Sequence, residues 1–399
     1  MDASAARYAG HPQALRLARA ILSGDARRGR CNRSSPMVAD ETLPGVRARL
    51  AALFPGARVV RVEALGADAG AGGSTQKAAG YGRPLHLELE LPDGRRRAVV
   101  FHLVNADDYG HDRRADRAAE QLGAFDSVGR IAEHAAALDV GFVEEDGGLR
   151  SIAGCGEPYL ITEWLDGRRY AGDLRALAGG APVTPRDLRR VDALARYLVE
   201  LHRPLGSARP LYRRSVRDLI GSGEGIYGIV DGYPPDTPAA PPSRLRALEA
   251  LCAHWRWTLR SREERLATIH GDFHPFNVLF GPDDRPRLLD ASRGCAGEPA
   301  DDVTAMAVNY VFFALGAPGA WSRLGPLWHR FIERYTGGRG NGDWLAVAPP
   351  YFAWRALVVS SPVFYPALAA ADRDALLTLA ERFLAAERLE PGWADEVFR

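Results

Sequence analysis

The stretch that most constrains this chain is Ile269-His270-Gly271-Asp272-Phe273-His274-Pro275-Phe276-Asn277-Val278-Leu279-Phe280, followed by Leu288-Leu289-Asp290. Apolar residues flank a polar centre, and Gly281-Pro282-Asp283-Asp284 is turn chemistry that returns the chain into Arg287-Leu288-Leu289. The pattern predicts two short strands around a tight turn, with a polar loop before and after. Any fold that accepts it brings Asp272, Asn277 and Asp290 to loop ends facing one cavity.

Phosphoryl transfer from a nucleotide needs an acceptor for the proton of the attacking hydroxyl and oxygen ligands for the magnesium that bridges the phosphates. Protein kinases place these as His-x-Asp-x-x-x-x-Asn and then an Asp beyond a second short strand. His270, Asp272 and Asn277 reproduce the first offsets and Asp290 the second. Turn formation alone explains Asp and Asn beside a hairpin but not these spacings. Asp272 is therefore the candidate base or hydroxyl-orienting group, with Asn277 and Asp290 as candidate magnesium ligands. His270 enters the catalytic loop as a brace, and His274 reads as a packing or capping residue.

His-Gly-Asp-Phe-His-Pro-x-Asn with a following Leu-Leu-Asp resembles the aminoglycoside phosphotransferase and choline kinase superfamily, small-molecule relatives of protein kinases. Gly297-Glu298-Pro299-Ala300-Asp301-Asp302 is similar to that family's Gly-Asp-Pro-x-x-Asp, which puts Asp302 where the catalytic loop is braced and Glu298 on the substrate side. The resemblance covers residues 45 to 390. It implies an α+β, bilobal protein-kinase-like fold with a small β-sheet lobe, a mostly helical large lobe and an N-terminal helical extension. The expected divisions are 1–44 for the extension, 45–165 for the nucleotide-binding lobe with its hinge, and 166–399 for the large lobe with catalytic loop and substrate site.

The small-lobe signals are looser. Strands are predicted over Val59–Leu65, Leu85–Leu91 and Ala98–Val104, with a Gly-rich loop after the first. Glycines there let the amides of Gly72, Gly73 and Ser74 approach phosphate oxygens. The family's third strand carries a phosphate-holding lysine, where this chain has His102. Lys77, the single lysine among 51 Lys and Arg residues, lies just after the loop and is proposed for that work, the plain alternative being an exposed lysine. Glu120 on the following helix is the candidate ion-pair partner, and Arg113 and Arg114 are alternative phosphate contacts. Glu157 to Gly167 resembles the strand and hinge between lobes, with backbone groups of Glu163, Trp164 and Leu165 at the adenine edge.

Further on, Gly45–Phe54, Pro185–His202, Arg244–Arg260 and Pro349–Ser360 carry helical patterns, with Trp255 and Trp257 expected in the core. Gly221 to Pro234 is too glycine-rich for a stable interior helix. It offers Glu224, Tyr227, Asp231 and Tyr233 to an acceptor. Pro12–Leu22 has a helical period, and a basic loop follows it.

Composition sets the remaining bounds. A net charge of +1 gives no reason to expect a nucleic acid partner. Cys31, Cys155, Cys252 and Cys295 form no Cys-x-x-Cys pair and read as free thiols in a reducing cytoplasm, with no zinc site. No apolar run follows Asp2 and Arg7, so no signal peptide or membrane anchor is expected. The reading is a monomeric or homodimeric cytoplasmic kinase using ATP or GTP with magnesium. Its acceptor would be a small-molecule hydroxyl on an antibiotic, sugar or amino alcohol. A nucleotide-binding pseudokinase or scaffold, motivated by the missing strand lysine, and a nucleotidyl transferase on the same fold are the alternatives.

Overall fold

The computed structural model describes residues 37–65, 84–107, 109–206, 208–291 and 293–399, which form two compact units, 37–161 and 162–399. The expected helix over Pro12–Leu22, the phosphate-loop candidates Gly72, Gly73 and Ser74, Lys77 and Cys31 lie outside the described residues.

The smaller unit opens with α1 (Met37–Leu53), which starts ahead of the expected Gly45 and runs through Pro44. Strands β1 (Arg58–Ala64), β2 (Leu85–Glu90) and β3 (Arg96–Phe101) form an antiparallel sheet in that order. Period-two patterning works on β2: Leu85, Leu87 and Leu89 are buried and pack with Val46 and Leu50 of α1. Helix α2 (Arg114–Ser127) follows and buries none of its residues. A short hairpin, β4 (Gly141–Val143) with β5 (Leu149–Ser151), completes the unit. Arg49 holds Asp139, just before β4, through contacts of 2.6 and 2.9 Å. The third strand ends at Phe101, so His102 falls past it rather than within it. Residues 157–165 form no strand, and Tyr159, Leu160, Ile161 and Trp164 are each more than 80% exposed, contrary to expectation.

The larger unit begins with β6 (Arg168–Arg169), α3 (Tyr170–Ala178) and α4 (Pro185–Leu201). The sequence specifies α4 twice over. Thr184 and Asp187 make a reciprocal capping box, and Val191, Leu194, Ala195 and Leu198 bury one face. Next come α5 (Arg209–Gly221), α6 (Ile226–Asp231) and α7 (Pro242–Arg260), then the short strands β7 (Ala267–Thr268), β8 (Val278–Phe280), β9 (Pro286–Leu288) and β10 (Ala296–Gly297). The rest is helical: α8 (Ala300–Ala314), α9 (Trp321–Arg339), α10 (Pro349–Ser360), α11 (Ala370–Ala385) and α12 (Trp393–Glu396). Every residue of α8 from Ala300 to Val311 is buried. Among the described residues no helix is long and apolar enough to cross a membrane.

Two expectations fail here for local reasons. The Gly-rich stretch does contain a helical turn, α6, because fully buried Ile226 anchors it and a Cβ at Gly228 would run into the Gly223 backbone. Tertiary contact thus outweighs the glycine penalty. Trp255 is core, but Trp257 is 61% exposed, with the Arg256 and Arg260 guanidiniums 5.3 and 4.9 Å from its ring centre.

Candidate active site

The polar stretch folds as the spacing predicts. Strand β8 pairs with β9 as a hairpin and with β6 on its other edge. Arg186 and Arg190 hold the turn by donating to Asp284, at 2.8 and 3.0 Å. Before the hairpin, β7 pairs with β10, and the Ile269 N–H donates to Cys295 O at 3.1 Å. The start of the Asp272 loop and the chain returning from Asp290 therefore run side by side. Gly271 sits at φ +83°, and a Cβ there would stand 3.1 Å from Gly294 O. Both the conformation and the space call for glycine.

Asp302, fully buried in the first turn of α8, clasps this loop. Its carboxylate accepts the N–H groups of His270 and Gly271 at 2.7 and 2.8 Å. His202 Nε2 lies 3.1 Å from the same carboxylate, while its Nδ1 meets the Tyr335 hydroxyl at 2.7 Å. Facing a carboxylate, Nε2 carries the proton and Nδ1 accepts. His270 is buried and its Nδ1 accepts the Asp272 N–H at 3.2 Å, a bracing contact.

Asp272 is densely engaged. Its Oδ1 accepts from Arg293 at 2.6 Å and from Arg355 at 2.8 Å. On Oδ2 it meets Asn277 Nδ2 at 3.2 Å and His274 Nε2 at 3.3 Å. Burial pushes the carboxyl up. The His274 hydrogen bond and the Arg355 and Arg293 charges together outweigh it and hold Asp272 well below the usual carboxylate range. The Leu289 N–H donates to Asn277 O at 2.9 Å, so Asp290 lies one residue beyond the backbone partner of Asn277. Asp290 is exposed and adopts φ +54°, a left-handed conformation uncommon outside glycine.

Arg355 was not singled out by sequence reasoning. It is 5% exposed, donates to Asp272, to Gly271 O at 3.1 Å and to Asp301 at 2.6 Å, and its guanidinium lies 3.9 Å from the centre of the Trp354 ring. Arg293 lies over the same ring at 4.5 Å. The signal was present: Arg355 is the single charge in the apolar α10, and a buried charge requires partners.

Of the acceptor-side candidates, Glu224 joins this cluster. Its exposed carboxylate pairs with Arg293 at 3.2 Å and its carbonyl accepts Trp354 Nε1–H at 2.8 Å. Tyr227 and Asp231 are exposed on α6. Two others are corrected. Glu298 is fully buried, held by Arg265 through two 2.7 Å contacts and by the Tyr212 hydroxyl, so it is structural and not open to an acceptor. Tyr233 is 7% exposed and donates to Leu357 O.

In the smaller unit, Glu120 pairs with His111 at 2.9 Å, and His111 also contacts Asp107 at 2.9 Å. Arg113 donates to the Asp116 carboxylate from its backbone N–H at 3.0 Å and from its guanidinium at 2.9 Å. His102 borders a cavity of about 1010 Å³ whose lining includes His86, Val100, Arg117, Gln121 and Phe142. Glu163, Trp164 and Leu165 lie in irregular chain, and Trp164 Nε1–H donates to Asp166. Among the described residues no group of three or more His, Cys, Asp or Glu side chains converges as a metal cage.

A family model described as the phosphotransferase enzyme family matches residues 46–349. Among solved structures, the chain is similar to a glucosamine kinase in complex with glucosamine, ADP and inorganic phosphate. That match has 20% identity and a TM-score of 0.40, and covers 54% of this chain and 61% of that one. It is also similar to an amicoumacin kinase in complex with AMP-PNP and Ca2+, at 13% identity and TM-score 0.36, covering 79% of this chain and 89% of the other. A third is a Plasmodium vivax ethanolamine kinase, at 12% identity and TM-score 0.31, covering 77% and 79%. The chain thus spans about three fifths of the length of the glucosamine kinase it matches first. No curated protein matches it.

Proposed function

Because the chain belongs to the phosphotransferase enzyme family, we propose that it moves the terminal phosphate of ATP or GTP to a hydroxyl of a small molecule. Candidate acceptors are an antibiotic, a sugar or an amino alcohol. The observation that carries this reading is the direct contact between Asp272 and Asn277, with Asp290 one residue past the backbone partner of Asn277.

Asp272 orients the acceptor. Held as a carboxylate far below neutral pH, it is a weak base, suited to accepting a hydrogen bond from the attacking hydroxyl and taking its proton late, as a loose phosphoryl-transfer transition state allows. A carboxylate offers about four acceptor sites, and Arg293, Arg355, Asn277 and His274 approach all of them. Hydroxyl binding therefore requires one donor to yield. Arg293, which also reaches exposed Glu224, is placed to turn away when an acceptor arrives.

Asn277 and Asp290 suit magnesium, which prefers oxygen ligands and retains waters and phosphates, so that one or two protein groups suffice. The Asn277 amide nitrogen is committed to Asp272, which leaves its oxygen for the cation. Asp290, left-handed and exposed, would supply a carboxylate as the second ligand. When bound, the ion neutralises charge developing on the transferred phosphoryl group. Asp302 and His270 keep the Asp272 loop in place.

The test is magnesium-dependent nucleotide turnover against an acceptor library, with phosphorylated products found by mass. Asp272→Asn should lower turnover at least about 100-fold while nucleotide affinity holds. Release of pyrophosphate instead of nucleoside diphosphate would indicate nucleotidyl transfer. Nucleotide binding without turnover on any acceptor would indicate a scaffold.

A further inference from the structure

A line of aromatic rings begins at one of the polar partners of Asp272. His274, whose Nε2 meets the Asp272 carboxylate, lies edge-on to Phe276 with 5.7 Å between ring centres. Phe276 stacks on Phe313 at 6.0 Å, Phe313 meets Phe312 at 5.3 Å, and Phe312 meets Tyr365 at 4.8 Å. Three short segments supply these rings: the Asp272 loop, the end of α8 and the loop after α10. Phe276, Phe312, Phe313 and Tyr365 are half-buried, and Val363 and Phe364, next to Tyr365, are 60% and 57% exposed. Burial first, and then the Asp272 charge, push the Tyr365 hydroxyl up.

The carboxylates that meet Arg293 and Arg355 are already matched. Asp272 has Arg293 and Arg355, Asp301 has Arg355, and Glu224 has Arg293. A polycationic acceptor needs uncommitted carboxylates. Aromatic faces do attract cations, but two guanidiniums next to the reacting carboxylate repel another.

We infer that Phe276, Phe312, Phe313, Val363, Phe364 and Tyr365 form the acceptor subsite, and that it takes a neutral hydroxyl compound with an apolar or aromatic face. This rests on the phosphotransfer reading, since Asp272 locates the acceptor hydroxyl. Ring contact removes the apolar face of the acceptor from water. An ammonium group in the same place would lose hydration without finding an uncommitted carboxylate.

The full-length protein is titrated calorimetrically with three probes: glucose, phenyl β-D-glucoside, which adds an apolar ring at constant charge, and glucosamine, which adds charge at nearly constant shape. Phenyl glucoside should bind at least about tenfold tighter than glucose, and glucosamine no tighter than glucose. The doubly substituted Val363→Ser/Phe364→Ser protein, altered only at exposed positions, should keep its melting temperature and lose most of the phenyl advantage. A tighter fit for glucosamine, no phenyl advantage, or an advantage that survives the double substitution overturns the inference. Nucleotide turnover separates the two readings: ADP release on some acceptor without a phenyl advantage overturns the subsite alone. A phenyl advantage that the double substitution removes, with no ADP release on any acceptor, overturns phosphotransfer and leaves an aromatic binding site.

Discussion

The two units use buried space in opposite ways. In the larger one, α8 is buried along nearly its whole length and the space beside it is filled by paired charges: Arg355 between Asp272 and Asp301, and Asp302 against two amides and His202. In the smaller one, α2 buries nothing and lines a cavity of about 1010 Å³. Dense packing fixes polar groups to within tenths of an ångström, which positioning a hydroxyl demands. An open lining fixes little and leaves room for a ligand to supply the missing contacts.

Removing a charge from the dense unit should have the largest effect. Arg355→Met leaves Asp272 and Asp301 without their shared partner, and breaking such a buried pair costs about 3–5 kcal/mol. Denaturant titration should show this as a lowered midpoint for residues 162–399. A midpoint within error of wild type would mean that the guanidinium is dispensable there.

Adding volume is the next test. Ala307→Leu, at a fully buried position in α8, should destabilise by about 1–3 kcal/mol through overpacking. Ala118→Leu, on the cavity lining, should be neutral or stabilise by about 0.5–1 kcal/mol. Equal losses at both sites would erase the contrast between the units.

Acid and base sensitivity should divide along the same line. Asp272 is depressed in the folded state, so its contribution is present above the ordinary carboxylate value of about 3.9 and is lost only as pH falls through its lower folded value. Asp272→Asn should flatten the acid limb of the stability curve of the larger unit. His111 goes the other way. Its hydrogen bond to Asp107, then the Asp107 and Glu120 charges, raise it, so its contribution is full below about 6.5 and fades as pH rises through the folded value. An NMR titration should place the His111 midpoint above about 6.5, and Glu120→Gln should shift it down, the smallest effect here. A midpoint at the ordinary value would remove His111 from the account.

Legibility in the sequence followed the same division. Asp272, Asn277 and Asp290 lie within one hairpin and its flanks, so spacing and the turn at Gly281 to Asp284 were enough to find the hairpin and the Asp272–Asn277 contact. Arg355 reaches Asp272 from 83 residues away on another helix, and only the oddity of a charge in an apolar run marked it. Glu298 was misplaced because motif position says nothing about Arg265, which arrives from before β7 to neutralise it. In the smaller unit, alternation found β2 but overran β3 by the three residues beyond Phe101. Resemblance to the family's strand and hinge suggested a strand over 157–165, although no neighbouring chain pairs with it among the described residues.

The clasp of Asp302 on two successive amides reaches beyond catalysis. Those N–H groups are sealed by a side chain that is itself anchored in a helix buried along most of its length. They can trade protons with solvent only when the whole larger unit opens. The backbone positions of His270 and Gly271 are thus an internal clock for global unfolding, to be read by deuterium uptake without any acceptor in hand.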